Sequence, residues 1–233
     1  RVEQRSLLLA GQLESSMEDL QLQLRQLSRR LSLRPLEGRG AVDDLRADLE
    51  WLQTRSQAFA WIGLATPDGR VLAGTRRWLE GESLKTRPVF ANATQWPYLG
   101  EFHPALLLKP FLAGADAEVP SLADMGLPLF DAQGRLRAVL VAHVSREWLL
   151  GQGERLVSQP EQRRLGFRWF LLDSQGQPMN GPLAFDLPAA TGVWSGTAAG
   201  RAGDDSYFVS ARPMAVGMER STLRWTAVVG LRS

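Results

Sequence analysis

Between residues 6 and 31, Ala10, Leu13, Met17, Leu20, Leu24, Leu27 and Leu31 recur at alternating spacings of three and four. That is the a/d seam of a helix whose apolar stripe needs a partner along its whole length. At 1.5 Å per residue such a helix is roughly 40 Å long, about the height of two small stacked modules. Gln, Glu, Asp and Arg fill most of its other faces. Any fold for this chain must cover the stripe. Two readings are open: a core helix of one globular domain, or a stalk along which a sensor module transmits a signal. The pattern alone favours the first.

With 233 residues, 44% of them hydrophobic, the chain can fill one large or two modest cores and is not a disordered polymer. Its 27 basic and 25 acidic residues leave a formal charge of +2, so there is no strong basic field and nucleic acid is not indicated. Cysteine is absent, which removes disulfides, thiolate metal sites and cysteine nucleophiles and leaves the compartment undecided. The longest apolar run, 138–142, is a strand's worth, far short of the roughly 18 residues that cross a bilayer. The chain begins with Arg1 and shows no signal-peptide pattern, so a piece of a longer protein is expected.

After the long helix, Pro35, Gly38 and Gly40 punctuate the chain, and Asp43 is placed to cap a second helix to about Ser56, with Leu45, Leu49 and Leu52 on one side. Residues 59–65 read as a buried strand, Pro67, Asp68 and Gly69 as a turn, and 70–73 as the returning strand. A loop over 78–86 leads to a short helix over 87–94, with Pro88 tolerated in its first turn. Trp96, Pro97 and Tyr98 begin a further strand, 105–112 is an apolar run and 114–118 a loop. Strands over 121–130 and 135–144 flank the turn residues Asp131, Ala132, Gln133 and Gly134. Ser145 suits the N-cap of a helix over 146–157, and 158–166 reads as a linker. Strands then follow at 167–172, 206–214 and 222–231, with mostly loop over 177–204. The halves echo each other: Trp61 and Trp169 precede the turn glycines Gly69 and Gly176, and Pro128 and Pro213 each sit inside the penultimate strand. The fold class is therefore α+β: a helical part over 1–56, an antiparallel-sheet module with its connecting helix over 57–157, and a smaller sheet module over 158–233.

No nucleophile elbow, Walker loop, His-Glu-x-x-His or dinucleotide fingerprint is present. No catalytic residue is expected. His103 and His143 are the two histidines; each reads as structural, although His103, beside Gly100, Glu101 and Pro104 at a strand start, could line a pocket. A metal site of His103, His143 and Asp124 is conceivable, but sequence spacing gives it no support, and neither metal nor cofactor is expected. The better cluster lies around the short helix. Arg87 at the helix start can offer a fork to a carboxylate, helped by free helix N–H groups, or be an ordinary surface arginine. Trp96 and Tyr98 can form an apolar wall with a polar tip, or pack in the core. Asp124 is the singular residue of an apolar run; facing inward it needs a ligand amine, an arginine or Lys109, and facing outward it needs only water.

The order of these motifs resembles the double Cache sensor domains of bacterial transmembrane receptors. The resemblance rests on 61–71 with its Pro67-Asp68-Gly69 turn, on Gly81, Ser83, Leu84 and Arg87-Pro88-Val89-Phe90, and on 127–129 through Asp131-Ala132-Gln133-Gly134 to 139–141. In the second module it rests on 172–176 and 225–229. The block Gly100-Glu101-Phe102-His103, Leu106-Leu107-Leu108, Asp124 and Ala142-His143-Val144 also looks like Cache domains found on diguanylate cyclases, producers of cyclic di-GMP. The resemblance implies two tandem PAS-like modules in an extracytoplasmic, periplasmic segment of an inner-membrane protein, held by membrane helices outside this stretch. It implies a small metabolite bound in the first module. Amino-acid-binding members use an Arg followed by Trp and Tyr for the carboxylate and an Asp for the amine; Arg87 and Asp124 match, whereas Val89 and Phe90 replace the Trp and Tyr.

The resulting expectation is a non-catalytic sensor of an organic acid, amino-acid-like or amine metabolite, bound by Arg87, Phe90, Trp96, Tyr98, His103, Lys109 and Asp124. Its expected output is a diguanylate cyclase, and next a histidine kinase or chemoreceptor. The alternative is a dimerisation or protein-interaction module without a small ligand, using the N-terminal helix as a homodimer interface.

Overall fold

The apolar stripe finds its cover inside the chain. In the computed structural model, which describes residues 1–38, 40–112, 118–157, 164–181, 196–202 and 205–233, helix α1 (Val2–Ser32) buries every seam residue named above. The described residues form an α+β fold, a long N-terminal helix followed by two antiparallel sheets. They group into two compact units: Asp19–Trp148 with Gly217–Ser221, and Arg1–Glu18 with Leu149–Val216 and Thr222–Ser233.

In the first of these units, α1 ends against charged groups that suit its carbonyl terminus. The Arg137 guanidinium donates to the carbonyls of Ser32 at 2.7 Å and Arg34 at 2.9 Å, where the last turn leaves acceptors without helical partners. Helix α2 (Ala41–Arg55) buries Leu45, Leu49 and Leu52 as expected. Its N-cap, however, is Gly40, whose left-handed φ of 80° closes the turn. Asp43 lies instead in the first turn and pairs with Arg46. Asp48 of α2, almost fully buried, receives Arg30 at 2.6 Å and Arg34 at 3.0 Å.

The strands of this unit are β1 (Phe59–Ala65), β2 (Val71–Gly74), β3 (Tyr98–Leu99), β4 (His103–Pro104), β5 (Ser121–Phe130) and β6 (Leu136–Ser145). Their order is β2-β1-β6-β5-β3, with β4 also paired to β5. Helices α3 (Pro88–Asn92) and α4 (Lys109–Leu112) are single turns. On one sheet face stand Trp61, Gly63 and Ala65 of β1, opposite His143, Val141 and Val139 of β6. Trp61 is fully buried, its ring lying where a Cβ on Gly63 would stand. Further along that face, Gly126 of β5 leaves room for α3, since a Cβ there would collide with Ala93.

The expected connecting helix and the first strand of the second sheet are found as α5 (Arg146–Val157) and β7 (Phe167–Leu172). The Ser145 hydroxyl accepts the Trp148 N–H at 3.2 Å, an N-cap as expected. The strands β8 (Gly196–Ala202), β9 (Asp205–Met218) and β10 (Ser221–Arg232) complete a sheet of order β7-β10-β9-β8. In both sheets the first strand pairs with the last, which is the echo that the sequence carries. The segment expected as mostly loop holds a strand, β8, whose Gly-Ala-rich residues pair with β9 from Gly196↔Ala211 onward. A row of small residues carries neither β-branched enrichment nor alternation to read, so the strand is set by its pairing with β9 rather than by local propensity. Most of the loop over 114–118, the linker over 158–166 and the stretch 182–195 lie outside the described residues.

Candidate functional site

The site is built on the sheet face that carries Trp61. The antiparallel hairpin β5–β6 turns through Asp131, whose carboxylate accepts the N–H groups of Gln133 and Arg135, and Gly134, whose φ of 76° suits glycine. Past a bulge at Leu129/Phe130 the register sets Asp124 directly opposite His143. Strand β4 pairs on the other side of β5, with His103 opposite Leu122. Asp124 thus lies between two histidines. Its Oδ1 accepts from His143 Nδ1 at 2.6 Å and its Oδ2 from His103 Nε2 at 3.0 Å. The His143 ring packs against Trp61, ring centres 5.5 Å apart.

The electrostatics follow from this clasp. Burial alone would raise the Asp124 carboxyl, but the hydrogen bonds from His103 and His143, with their charge, hold it well below the usual carboxylate range. The hydrogen bond to Asp124 raises the imidazole of His103, against burial and the nearby Arg87 charge. Burial, with Asp124 and Glu101, raises the Tyr98 phenol. At neutral pH the carboxylate is therefore charged, and both imidazoles must donate to it.

Over the clasp opens a cavity of about 450 Å³, within the usual range for small-molecule sites. Arg87, Tyr98, His103 and Asp124 line it, together with His143 and Glu101, and Leu79, Leu84, Val89, Leu107 and Leu108 make its apolar wall. Arg87 is the N-cap of α3, in extended conformation, and its side chain makes no ion pair with any described residue. The other three expected residues do not line the cavity. Phe90 is in the apolar core, 4% exposed, because it is on the face of α3 that packs inward. Trp96 is turned to a different cleft, where the Arg220 guanidinium lies 3.9 Å above its ring. Lys109 begins α4 outside the lining. It is not the partner of Asp124.

His143 is the residue that sequence reasoning set aside. Its signal was the hairpin, yet the closing pair Asp131 and Arg135 extended without a bulge would face Asp124 with Ala142 and turn His143 to the other side. The one extra residue decides it. The three groups weighed as a metal site do meet, but through direct hydrogen bonds, each carboxylate oxygen taken by one imidazole; among the described residues no cluster suited to a metal ion is found.

No family model and no curated protein matches the chain. Solved structures share its fold. The ligand-binding domain of the Pseudomonas aeruginosa amino-acid chemoreceptor PctC, in complex with GABA, aligns with a TM-score of 0.68 at 19% identity, over 99% of this chain and 97% of that one. That of PctB from the same organism, in complex with L-arginine, gives 0.69 at 15% identity over 99% and 93%. The ligand-binding domain of the Campylobacter jejuni chemoreceptor Tlp3, in complex with 4-methylisoleucine, gives 0.72 at 13% over 99% and 89%. At these identities, what this chain shares with the three receptor domains is the fold, a long helix followed by two antiparallel sheets.

Proposed function

We propose that this chain is the extracytoplasmic ligand-sensing domain, of double Cache type, of a membrane-bound signalling protein, and that it binds a small metabolite in the cavity above β5 and β6 without transforming it. One observation carries the reading: a cavity of about 450 Å³ with a largely apolar wall on which the polar groups of Arg87, Tyr98, Glu101, His103, Asp124 and His143 converge. A few placed polar groups in an apolar cavity are what small-molecule recognition needs. The fold shared with chemoreceptor ligand-binding domains supports it.

Ligand would bind one conformation of this unit better than another and so shift an existing equilibrium, with a coupling of about 1 to 3 kcal/mol typical of such devices. Of the outputs considered, diguanylate cyclase, histidine kinase and chemoreceptor, the names of the structural neighbours support the last. The interaction-module alternative has less support, because the seam it would use is buried within one chain.

The test is a melting-temperature screen of the 233-residue chain against amino acids, organic acids, amines, purines and divalent metals. At a hundred times its dissociation constant a ligand adds about 2.7 kcal/mol, or about 5 to 10 °C for a chain of this size. One chemical class raising the midpoint supports sensing; silence across the panel transfers the weight to the interaction module.

A further inference from the structure

The clasp at Asp124 changes which ligand the cavity suits. The family resemblance implies a ligand carboxylate at Arg87 and a ligand amine at Asp124, yet each Asp124 oxygen already accepts an imidazole N–H, from His143 at 2.6 Å and from His103 at 3.0 Å. Asp124 is 4% exposed, so an ammonium would share a nearly buried carboxylate whose charge is already engaged by two imidazole hydrogen bonds.

The geometry of His103 gives its charge. Its Nε2 faces Asp124 Oδ2, and its Nδ1 lies 3.2 Å from the Pro104 carbonyl oxygen. A carbonyl and an ionised carboxylate both only accept, so satisfying the two bonds requires a proton on each ring nitrogen. That species is the imidazolium. Its charge cancels that of Asp124. The Arg87 guanidinium lines the same cavity, makes no ion pair with any described residue and is close enough for its charge to act on His103. The groups facing His103 are therefore Arg87, Tyr98, Glu101, Asp124 and His143. An incoming ammonium meets the cations Arg87 and His103 and a neutralised Asp124, with the Glu101 carboxylate on the same lining as their counterweight; a carboxylate placed between Arg87 and His103 meets two charged donors.

We propose that the cavity takes a carboxylate with an apolar chain and no amine, its carboxylate held between Arg87 and His103, and that Asp124 is the fixed counter-ion that keeps His103 charged rather than the acceptor of a ligand ammonium. The proposal rests on the reading of the cavity as a ligand site. It assigns the apolar chain to the wall of Leu79, Leu84, Val89, Leu107 and Leu108. It also makes binding proton-linked, since a neutral His103 keeps only one donor for Asp124 and loses its charge toward the ligand.

The test is calorimetric titration of the whole chain with three probes that share one isobutyl group: 4-methylpentanoate, L-leucine and 3-methylbutylamine. The expected order is 4-methylpentanoate tighter than leucine by about tenfold or more, with no binding of the amine. Between about pH 6 and about pH 9 the affinity for 4-methylpentanoate falls several-fold as His103 loses its proton. In His103→Gln this pH dependence disappears. Leucine binding as tightly as 4-methylpentanoate, or preference for the amine, overturns the proposal and leaves the sensor reading standing. So does silence of all three probes when the broad screen finds a ligand of another class. Silence in both experiments removes both. The comparison of probes uses the wild-type chain and so does not depend on how any variant folds.

Discussion

At the scale of single residues, the fold turns on what surrounds Asp124. Its depressed carboxyl stabilises the folded state above the ordinary carboxylate value of about 3.9, and that contribution is lost as pH falls through the folded-state value. The raised His103 contributes fully below the ordinary imidazole value of about 6.5, and that contribution is lost as pH rises through its folded value. Stability from this pair is therefore greatest between about pH 4 and about pH 6.5. Because the His103 side chain is 46% exposed, solvent screening limits its share to about a few tenths of a kcal/mol. Urea denaturation against pH checks this: the gap between wild type and His103→Gln should narrow as pH rises above neutrality, and a gap that widens contradicts the ion pair. The sequence singles out Asp124 because a carboxylate in an apolar run is conspicuous. It does not reveal His143 as the partner, because that pairing depends on a bulge that leaves no mark on composition or periodicity. Phe90 is off the cavity lining for a related reason: which way a five-residue helix faces is set by its packing, with Ala93 and Val89 against Gly126, not by local propensity.

At the scale of elements, local chemistry was the better guide. Strands β1, β5 and β7 and helix α5 span the residues expected of them, because each is bounded by turn or capping residues that act within a few positions. The residues over 78–86 were read as loop and form turns, preceded by a single helical turn over Thr75–Arg77 on which no expectation fell. Arg76, Arg77 and Leu79 have φ of 59°, 62° and 61°, a left-handed conformation costing roughly 1 kcal/mol or more at each non-glycine residue. What holds it is the Arg46–Glu80 fork. Arg46 Nε and Nη2 donate to the two Glu80 oxygens at 2.7 and 3.1 Å, and Glu80 Oε1 also accepts the Gly74 N–H at 3.1 Å. Glu80→Ala leaves the 7%-exposed Arg46 without its principal partner and should cost about 3 kcal/mol in urea denaturation. Since Leu79 also lines the cavity, the same change should weaken ligand binding. On the sheet beside it, Gly63→Ala forces the buried Trp61 ring to move and should cost about 1 to 3 kcal/mol, with a shift in tryptophan fluorescence. A neutral substitution would mean that the ring does not rest on Gly63.

At the scale of the whole molecule, the seam of α1 was legible from spacing alone because a heptad stripe is a long, redundant signal. What it packs against was not, since a stripe seeks any apolar partner. Leu20 and Leu24 are buried, at 1% and 0% exposure. The double variant Leu20→Asp, Leu24→Asp should therefore unfold the chain, losing about 5 kcal/mol or more, rather than yield a folded monomer from a dimer. Circular dichroism distinguishes the two results. Leu22, on the exposed face of the same helix, tests association cleanly: Leu22→Asp should change stability by no more than about 0.5 kcal/mol. Any change in its light scattering would then report on contacts between chains. The central claim is that the cavity above β5 and β6 holds the ligand, and the most direct measurement is the melting temperature of wild type and Arg87→Ala, side by side. Both would be taken with the compound that stabilises wild type most. The account predicts that the unliganded midpoints agree and that Arg87→Ala loses most of the ligand-induced shift, because an exposed cation that makes no ion pair with any described residue contributes to binding and not to folding. Equal shifts in the two proteins would contradict it.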